Sequence, residues 1–122
     1  MNENINIVKE LKKILIEHFD NNIKDVILFG SRATGSASKY SDYDVLVILK
    51  QDYDWHYRNE ILRVVYKLEL KKDIMIDIHL LSTNEVSNTL RGSQPVFINA
   101  LNTGLYAWQS KTTKDKQLLL IG

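Results

Sequence analysis

The chain contains no cysteine, only one proline and only five glycines among its 122 residues. The absence of cysteine excludes disulfide bonds, thiolate metal sites and a cysteine nucleophile. No apolar run approaches the length that spans a bilayer, and the first residues lack the basic and apolar regions of a secretory signal. We therefore expect a cytoplasmic protein that makes no contact with a membrane.

An excess of charge of one sign is also missing. The chain has 16 lysines and arginines against 15 aspartates and glutamates. Because these charges are scattered, we expect no direct binding of nucleic acid. With 44% hydrophobic and 25% charged residues, the composition is typical of a folded domain. The length predicts a single domain over 1–122, without room for a substrate domain, so a bulky acceptor must supply its own binding surface.

Apolar residues recur at spacings of three and four in two long segments, which predicts amphipathic helices, and Asp52 or Asp54 is placed to cap the second of them. Two shorter helices are predicted further on, one of them beginning at Pro95. The segment 110–122 is polar and then apolar, which leaves a flexible end, a last core element and a partner-binding segment as alternatives. The four predicted helices are 7–19, 57–68, 83–90 and 95–104.

Three segments are predicted to be strands. Residues 25–29 and Tyr43–Leu49 are runs of β-branched and other apolar residues, and 73–80 alternates strictly between apolar and more polar positions. Between the first two strands, 30–42 is rich in glycine, serine, alanine and threonine. We interpret it as a turn, a short helix from about Ser31, and a loop.

The turn after the first strand has the character of a phosphate site. A strand that ends in Gly30-Ser31 and turns at once into a helix leaves backbone N–H groups and the positive end of a helix dipole facing outward. Gly30 lets phosphates approach the backbone, and the hydroxyl of Ser31 adds a donor. Arg32 is predicted to offer a further phosphate contact, with a solvated surface position as its alternative.

Three aspartates are candidates for a metal site. Asp42 and Asp44 are two residues apart at a strand start, so their carboxylates share a face with Cα atoms about 7 Å apart. Such carboxylates bind Mg²⁺, and two ions about 4 Å apart activate an attacking oxygen while stabilising the leaving one. Asp77 is the best third ligand, because an unpaired charge in its apolar strand would be costly, although pairing with a core base is an alternative. His79 shares its face but is more typical of a rim residue.

A second Asp-x-Asp serves as an internal comparison. Asp52-Tyr53-Asp54 follows the central strand instead of opening it, and no Gly-Ser precedes it, so we interpret it as a loop and a helix cap. Either motif alone is common in turns, whereas Gly30-Ser31 followed after ten residues by Asp42-x-Asp44 is specific.

This combination resembles the DNA polymerase β-like nucleotidyltransferase superfamily, and within it the minimal nucleotidyltransferases called MNT. The resemblance implies an α/β (α+β) fold with a small mixed sheet flanked by helices. It places ATP at Gly30 and Ser31, and two Mg²⁺ ions, or Mn²⁺, at Asp42, Asp44 and Asp77. It also implies transfer of AMP to a tyrosine of a HEPN ribonuclease toxin, with the chain as its antitoxin in a hetero-oligomer.

Two other functions remain open from the sequence. A small-molecule nucleotidyltransferase, for example one that acts on an aminoglycoside, shares both motifs but usually carries an added domain for the drug. A noncatalytic antitoxin would neutralise its partner by binding alone.

Overall fold

A computed structural model describes residues 2–108, in which a four-stranded sheet lies between two groups of helices. A single turn of 3-10 helix, Asp20–Asn22, joins the first helix to the first strand. The elements in chain order are α1 (Asn2–Phe19), β1 (Ile23–Phe29), α2 (Ser31–Thr34), β2 (Tyr43–Leu49), α3 (Trp55–Lys72), β3 (Ile76–Ser82), α4 (Thr83–Asn88), α5 (Pro95–Thr103) and β4 (Leu105–Tyr106).

The sheet is mixed, as predicted. Its strand order is β3-β2-β1-β4. β1 pairs antiparallel with both β2 and β4, whereas β2 and β3 are parallel because α3 carries the chain back between them. β2 is therefore a central strand, which explains its nearly continuous apolar sequence.

Helices α1 and α3 cover one face of the sheet. Alternate residues of β2, from Tyr43 to Leu49, point into this layer together with the apolar residues of the two helices. Val8, Leu11 and Leu15 of α1 have no exposed surface, which shows how completely this face is closed. The larger of the two hydrophobic cores lies here and holds the strands in register.

The opposite face is only partly covered. Leu46 and Ile48 of β2 point to this side and pack with Phe97 and Ala100 of α5. The residue of β2 with the same parity nearest its start is Asp44, beyond the apolar contacts of α5. The second face thus changes from apolar to acidic along one strand, and this change positions the candidate site.

The predicted elements differ from the structure mainly around β3. The strand spans Ile76–Ser82, not 73–80, because α3 continues to Lys72 and Asp73 ends it in the left-handed conformation with φ 54°. The two-residue strand β4 is absent from the prediction. The predicted tail 110–122 lies outside the described residues.

None of the helices that the structure describes within 2–108 combines the length and the apolar character needed to cross a membrane.

Candidate active site

Two carboxylates meet where the parallel strands β2 and β3 begin. Asp44 and Asp77 are register partners on these strands and share the face that α5 partly covers. His79 follows Asp77 by two residues and therefore points the same way. One ligand atom each from Asp44, Asp77 and His79 lies within 4.8 Å of the others, a spacing suited to a metal ion.

Asp42 lies beside this group but not in it. It precedes β2, is exposed, and its side chain receives no hydrogen bond from any residue between 2 and 108. Its charge nevertheless acts on Asp44, whose pKa it helps to raise. The structure thus places the two carboxylates of the Asp-x-Asp motif on one side of the strand start, with Asp42 nearer to solvent.

The pKa of Asp44 is raised above its ordinary value. Burial is the main cause, and the neighbouring charges of Asp77 and Asp42 add to it, while His79 acts in the opposite direction. Across 2–108, no lysine or arginine forms an ion pair with any of the three aspartates. The site is therefore a convergence of negative charge that a bound cation would relieve.

The more buried aspartate of the pair is Asp44, whereas the sequence predicted Asp77. The sequence argument for Asp77 was that its charge is unpaired inside an apolar strand, but the Asp77 side chain is 56% exposed. Asp44 is the desolvated member of the pair. The desolvation argument for Asp77 was wrong, because alternation along β3 puts it on the uncovered part of the sheet face; its metal role stays a prediction.

His79 belongs to the acidic group, although the sequence predicted a rim residue. Its Nε2 lies 3.3 Å from Oδ2 of Asp77. Its ring packs at 5.5 Å from the ring of Phe29 and at 5.9 Å, edge to face, from that of Phe97. Shared parity with Asp77 was the available signal, but the aromatic neighbours that hold the ring come from distant parts of the chain.

The turn at Gly30 lies directly against Asp44. Gly30 adopts φ 72° and ψ −157°, a region open essentially to glycine alone, and a Cβ there would collide with the Asp44 carboxylate. Ser31 begins α2, so its N–H and that of Arg32 have no partner within the helix. The turn therefore offers backbone donors next to the acidic group.

Arg32 points elsewhere. Its guanidinium lies 4.1 Å from the ring centre of Tyr43, which belongs to the core on the opposite face from Asp44. It is also absent from the charges that move the pKa of Asp44. Its hydrogen bonds go to protein atoms, so the phosphate contact predicted for it finds no support in this geometry.

A cavity opens between the Gly30 turn and α5. Its volume is ≈ 330 Å³, within the range of sites for small molecules. Small side chains dominate its wall, and a few polar groups from α2 and α5 reach it. The lining residues are Phe29, Gly30, Ala33, Thr34, Val96, Asn99, Ala100, Thr103 and Gly104.

An acidic pair on a mixed sheet beside a glycine-serine turn is the arrangement expected of a nucleotidyltransferase. The nucleotidyltransferase domain family matches residues 8–97, and the chain belongs to this family. A Methanocaldococcus jannaschii protein named for a proposed protein adenylyltransferase activity is 36% identical over 74 residues, which cover 61% of this chain and 75% of the relative.

Solved structures share the fold. A toxin–antitoxin structure with AMP-PNP aligns over 88% of this chain and 77% of its own, with a TM-score of 0.55 and 21% identity. A complex of tri-AMPylated Shewanella oneidensis HEPN toxin with MNT antitoxin aligns over 96% of this chain and 77% of its own, with a TM-score of 0.51 and 23% identity. These likenesses agree with the mixed sheet flanked by helices.

Proposed function

We propose that the chain transfers AMP from ATP to a hydroxyl of a partner protein, and that this partner is a HEPN ribonuclease toxin neutralised by the modification. The observation that carries the proposal is the pairing of Asp44 with Asp77 beside the Gly30-Ser31 turn. Membership of the nucleotidyltransferase domain family supports nucleotidyl transfer. The name of the Methanocaldococcus relative supports a protein acceptor.

Divalent cations fit the proposed site. Asp42, Asp44 and Asp77 offer carboxylate oxygens, the donors that Mg²⁺ prefers, and no lysine or arginine of the described chain forms an ion pair with them. We assign two Mg²⁺ ions to these three aspartates, and the imidazole of His79 makes Mn²⁺ a suitable substitute. Bound there, the ions would neutralise charge on the triphosphate and lower the pKa of an attacking hydroxyl.

The chain's own residues would hold the reactants. Backbone N–H groups at the start of α2 and the hydroxyl of Ser31 donate to triphosphate oxygens, and Gly30 leaves the approach open. Asp77 is largely exposed and lies beside Asp44, so we assign it the proton of the acceptor hydroxyl. That oxygen then bonds to the α-phosphorus in line, the bond from the α-phosphorus to its bridging oxygen breaks, and pyrophosphate leaves.

A protein acceptor suits the exposure of the site. Asp77 faces solvent, and the cavity beside Gly30 has room for part of a nucleotide but no second domain among residues 2–108 closes over it. A docked partner would supply that missing wall in a hetero-oligomer. The Shewanella oneidensis complex, in which an AMPylated HEPN toxin is bound to an MNT antitoxin, supports this partner, and we take its acceptor to be a tyrosine. We also propose that the reaction takes place in the cytoplasm, where ATP is available as the donor.

Intact-mass spectrometry tests the proposal. The purified chain is mixed with Mg-ATP and a candidate HEPN partner, and the partner is weighed beside a reaction with the Asp42→Ala/Asp44→Ala variant. We expect the partner to gain the mass of AMP with the natural chain alone. An unmodified partner that the variant still neutralises would instead identify a binding-only antitoxin. Transfer to an aminoglycoside in place of the protein would identify a small-molecule enzyme.

A further inference from the structure

The side chain of Arg32 forms a clamp on the loop that leads to Asp42. Its Nε and Nη2 donate to the carbonyl oxygen of Ser41 at 3.0 and 2.8 Å, and Nη2 also donates to that of Lys39 at 3.2 Å. Nη1 donates to Oδ1 of Asn4 at 3.1 Å. Four of the five N–H groups of the guanidinium are therefore used within the protein.

The clamp ties together parts of the chain that are distant in sequence. Asn4, near the start of α1, also donates from Nδ2 to the backbone carbonyl of Arg32 at 3.1 Å, so the two residues bond reciprocally. The guanidinium lies 4.1 Å from the ring centre of Tyr43, which is buried at the start of β2. Arg32 thus rests on an aromatic face while its fork reaches the loop.

The bonded carbonyl belongs to the peptide that joins Ser41 to Asp42. Because a peptide unit is planar, holding this oxygen also fixes the orientation of the N–H and the Cα of Asp42. The Asp42 side chain itself accepts no hydrogen bond from any residue between 2 and 108. The direction in which this carboxylate points is therefore set by its backbone. Arg32 holds that backbone on the Ser41 side, and the bond from the N–H of Tyr43 to the carbonyl of Met75, at 2.9 Å, holds it on the other.

We propose that Arg32 is a positioning residue, which presents Asp42 to the metal site by holding the Ser41 carbonyl and which does not touch the nucleotide. The inference rests on the proposed function, since it assigns Asp42 a role in metal binding. It differs from a phosphate contact in what it requires: a planar fork and a stacking face, not merely a positive charge. Lysine keeps the charge but cannot supply the fork.

The test compares Arg32→Lys with Arg32→Gln. Loss of a group that orients a metal ligand typically costs 10–100-fold in metal affinity or activity. We expect both variants to lose roughly this factor in kcat and in Mn²⁺ affinity, measured by calorimetry without any partner, while the KM for ATP stays within about twofold. Amide hydrogen exchange over 38–42 should also become faster in both, because the loop loses its bonds.

Tyr43→Phe is the matched control. It keeps the aromatic face beneath Arg32, so its kcat, Mn²⁺ affinity and loop exchange should equal those of the natural chain. A direct phosphate contact would be indicated if Arg32→Lys kept nearly full activity while Arg32→Gln raised the KM for ATP. A purely structural role would be indicated by a lower Tm with unchanged kcat and Mn²⁺ affinity per folded molecule. Either result overturns the proposal.

The metal and exchange measurements need no transfer activity. If the natural chain modified no protein, the proposed function would fail, yet Mn²⁺ affinity and loop exchange would still report whether Arg32 positions Asp42. Unchanged values for both readouts in Arg32→Gln would refute the positioning role even in an active enzyme.

Discussion

The sequence Asp-Tyr-Asp occurs twice, once before and into β2 and once after it, and the two copies have opposite surroundings. At the second copy, Oδ1 of Asp54 accepts from the N–H of Tyr57 at 2.9 Å and caps α3. Oδ1 of Asp52 accepts from the hydroxyl of Ser82 at 2.6 Å. At the first copy, the carboxylates of Asp42 and Asp44 accept no hydrogen bond from any residue of the described chain.

The difference comes from the ends of the elements that meet at each place. After β2 the chain enters a helix, whose first N–H groups need acceptors, and the end of β3 supplies a buried hydroxyl. At the start of β2, the parallel strand β3 brings Asp77 beside Asp44. Two carboxylates, which accept hydrogen bonds and do not donate them when ionised, therefore lie side by side. One pair of carboxylates thus accepts hydrogen bonds from the protein, whereas the other has no donor within the described chain.

The largest effect expected is on transfer. Replacing Asp42 and Asp44 by asparagine removes the charges assigned to the metals, which are worth several kcal/mol in the transition state. We expect the rate of pyrophosphate release to fall by about 10³-fold or more, equivalent to roughly 4 kcal/mol. The same change at Asp52 and Asp54 should leave it within about threefold, because asparagine still accepts hydrogen bonds and caps helices well. Equal losses in the two double variants would remove the functional distinction between the copies.

The next largest effect is the stabilisation of the folded chain by a bound divalent cation. Ligand at one hundred times its Kd stabilises a folded protein by about 2.7 kcal/mol. We expect Mg²⁺ or Mn²⁺ at that level to raise the Tm of the natural chain by several degrees, and chelation by EDTA to reverse the rise. Asp44→Asn should abolish the shift and Asp54→Asn should keep it. A shift of the same size in Asp44→Asn would place the cation somewhere else.

The elements that flank the two copies could largely be predicted from the sequence because they depend on local pattern. The apolar run Tyr43–Leu49 predicts β2 with the bounds that the structure has. The helical spacing over 57–68 left Asp52 and Asp54 as alternative caps, and in the structure Asp54 caps a helix that begins at Trp55. Asp52 was predicted only as a loop or cap residue, since its partner Ser82 is thirty positions away. Such pairings follow from the register of β2 and β3, which the chain's pattern alone does not set.

The same limit explains the errors in the site. Strict alternation of apolar and polar residues begins at residue 73, so the pattern predicts that β3 starts there. In the structure Asp73 ends α3, and residues 74–75 connect α3 to β3. Alternation placed Asp77 and His79 on the polar face correctly, but which part of that face α5 covers is a tertiary property. The exposure of Asp77 and the packing of His79 between Phe29 and Phe97 could therefore not be predicted.

The third prediction concerns the second copy, where a substitution should lower stability and leave the rate of transfer unchanged. Asp52→Ala leaves the fully buried hydroxyl of Ser82 without its acceptor, which typically costs about 1–3 kcal/mol. We expect the free energy of unfolding in urea to fall by that amount while the rate of transfer per folded molecule is kept. Asp52→Asn supplies an amide oxygen in the same place and should recover most of the loss. If the Asp52→Ala and Asp52→Asn variants were equally stable, the hydrogen bond from Ser82 would contribute nothing to stability.

The smallest effect is the pH dependence of stability that the first copy imposes. The folded pKa of Asp44 is raised by burial and by the charges of Asp77 and Asp42, with His79 opposing them. Folded molecules therefore bind this proton more readily than unfolded ones, so Asp44 lowers stability above its raised pKa, and the penalty disappears as the pH falls toward its ordinary value. In EDTA, the natural chain should gain stability relative to Asp44→Asn as the pH is lowered from 7 to about 4. Urea unfolding of both proteins, with Asp54→Asn as the control, measures this difference. A natural chain that instead lost stability relative to Asp44→Asn would show that a basic group of the protein already neutralises Asp44, which would end the contrast between the two Asp-Tyr-Asp copies.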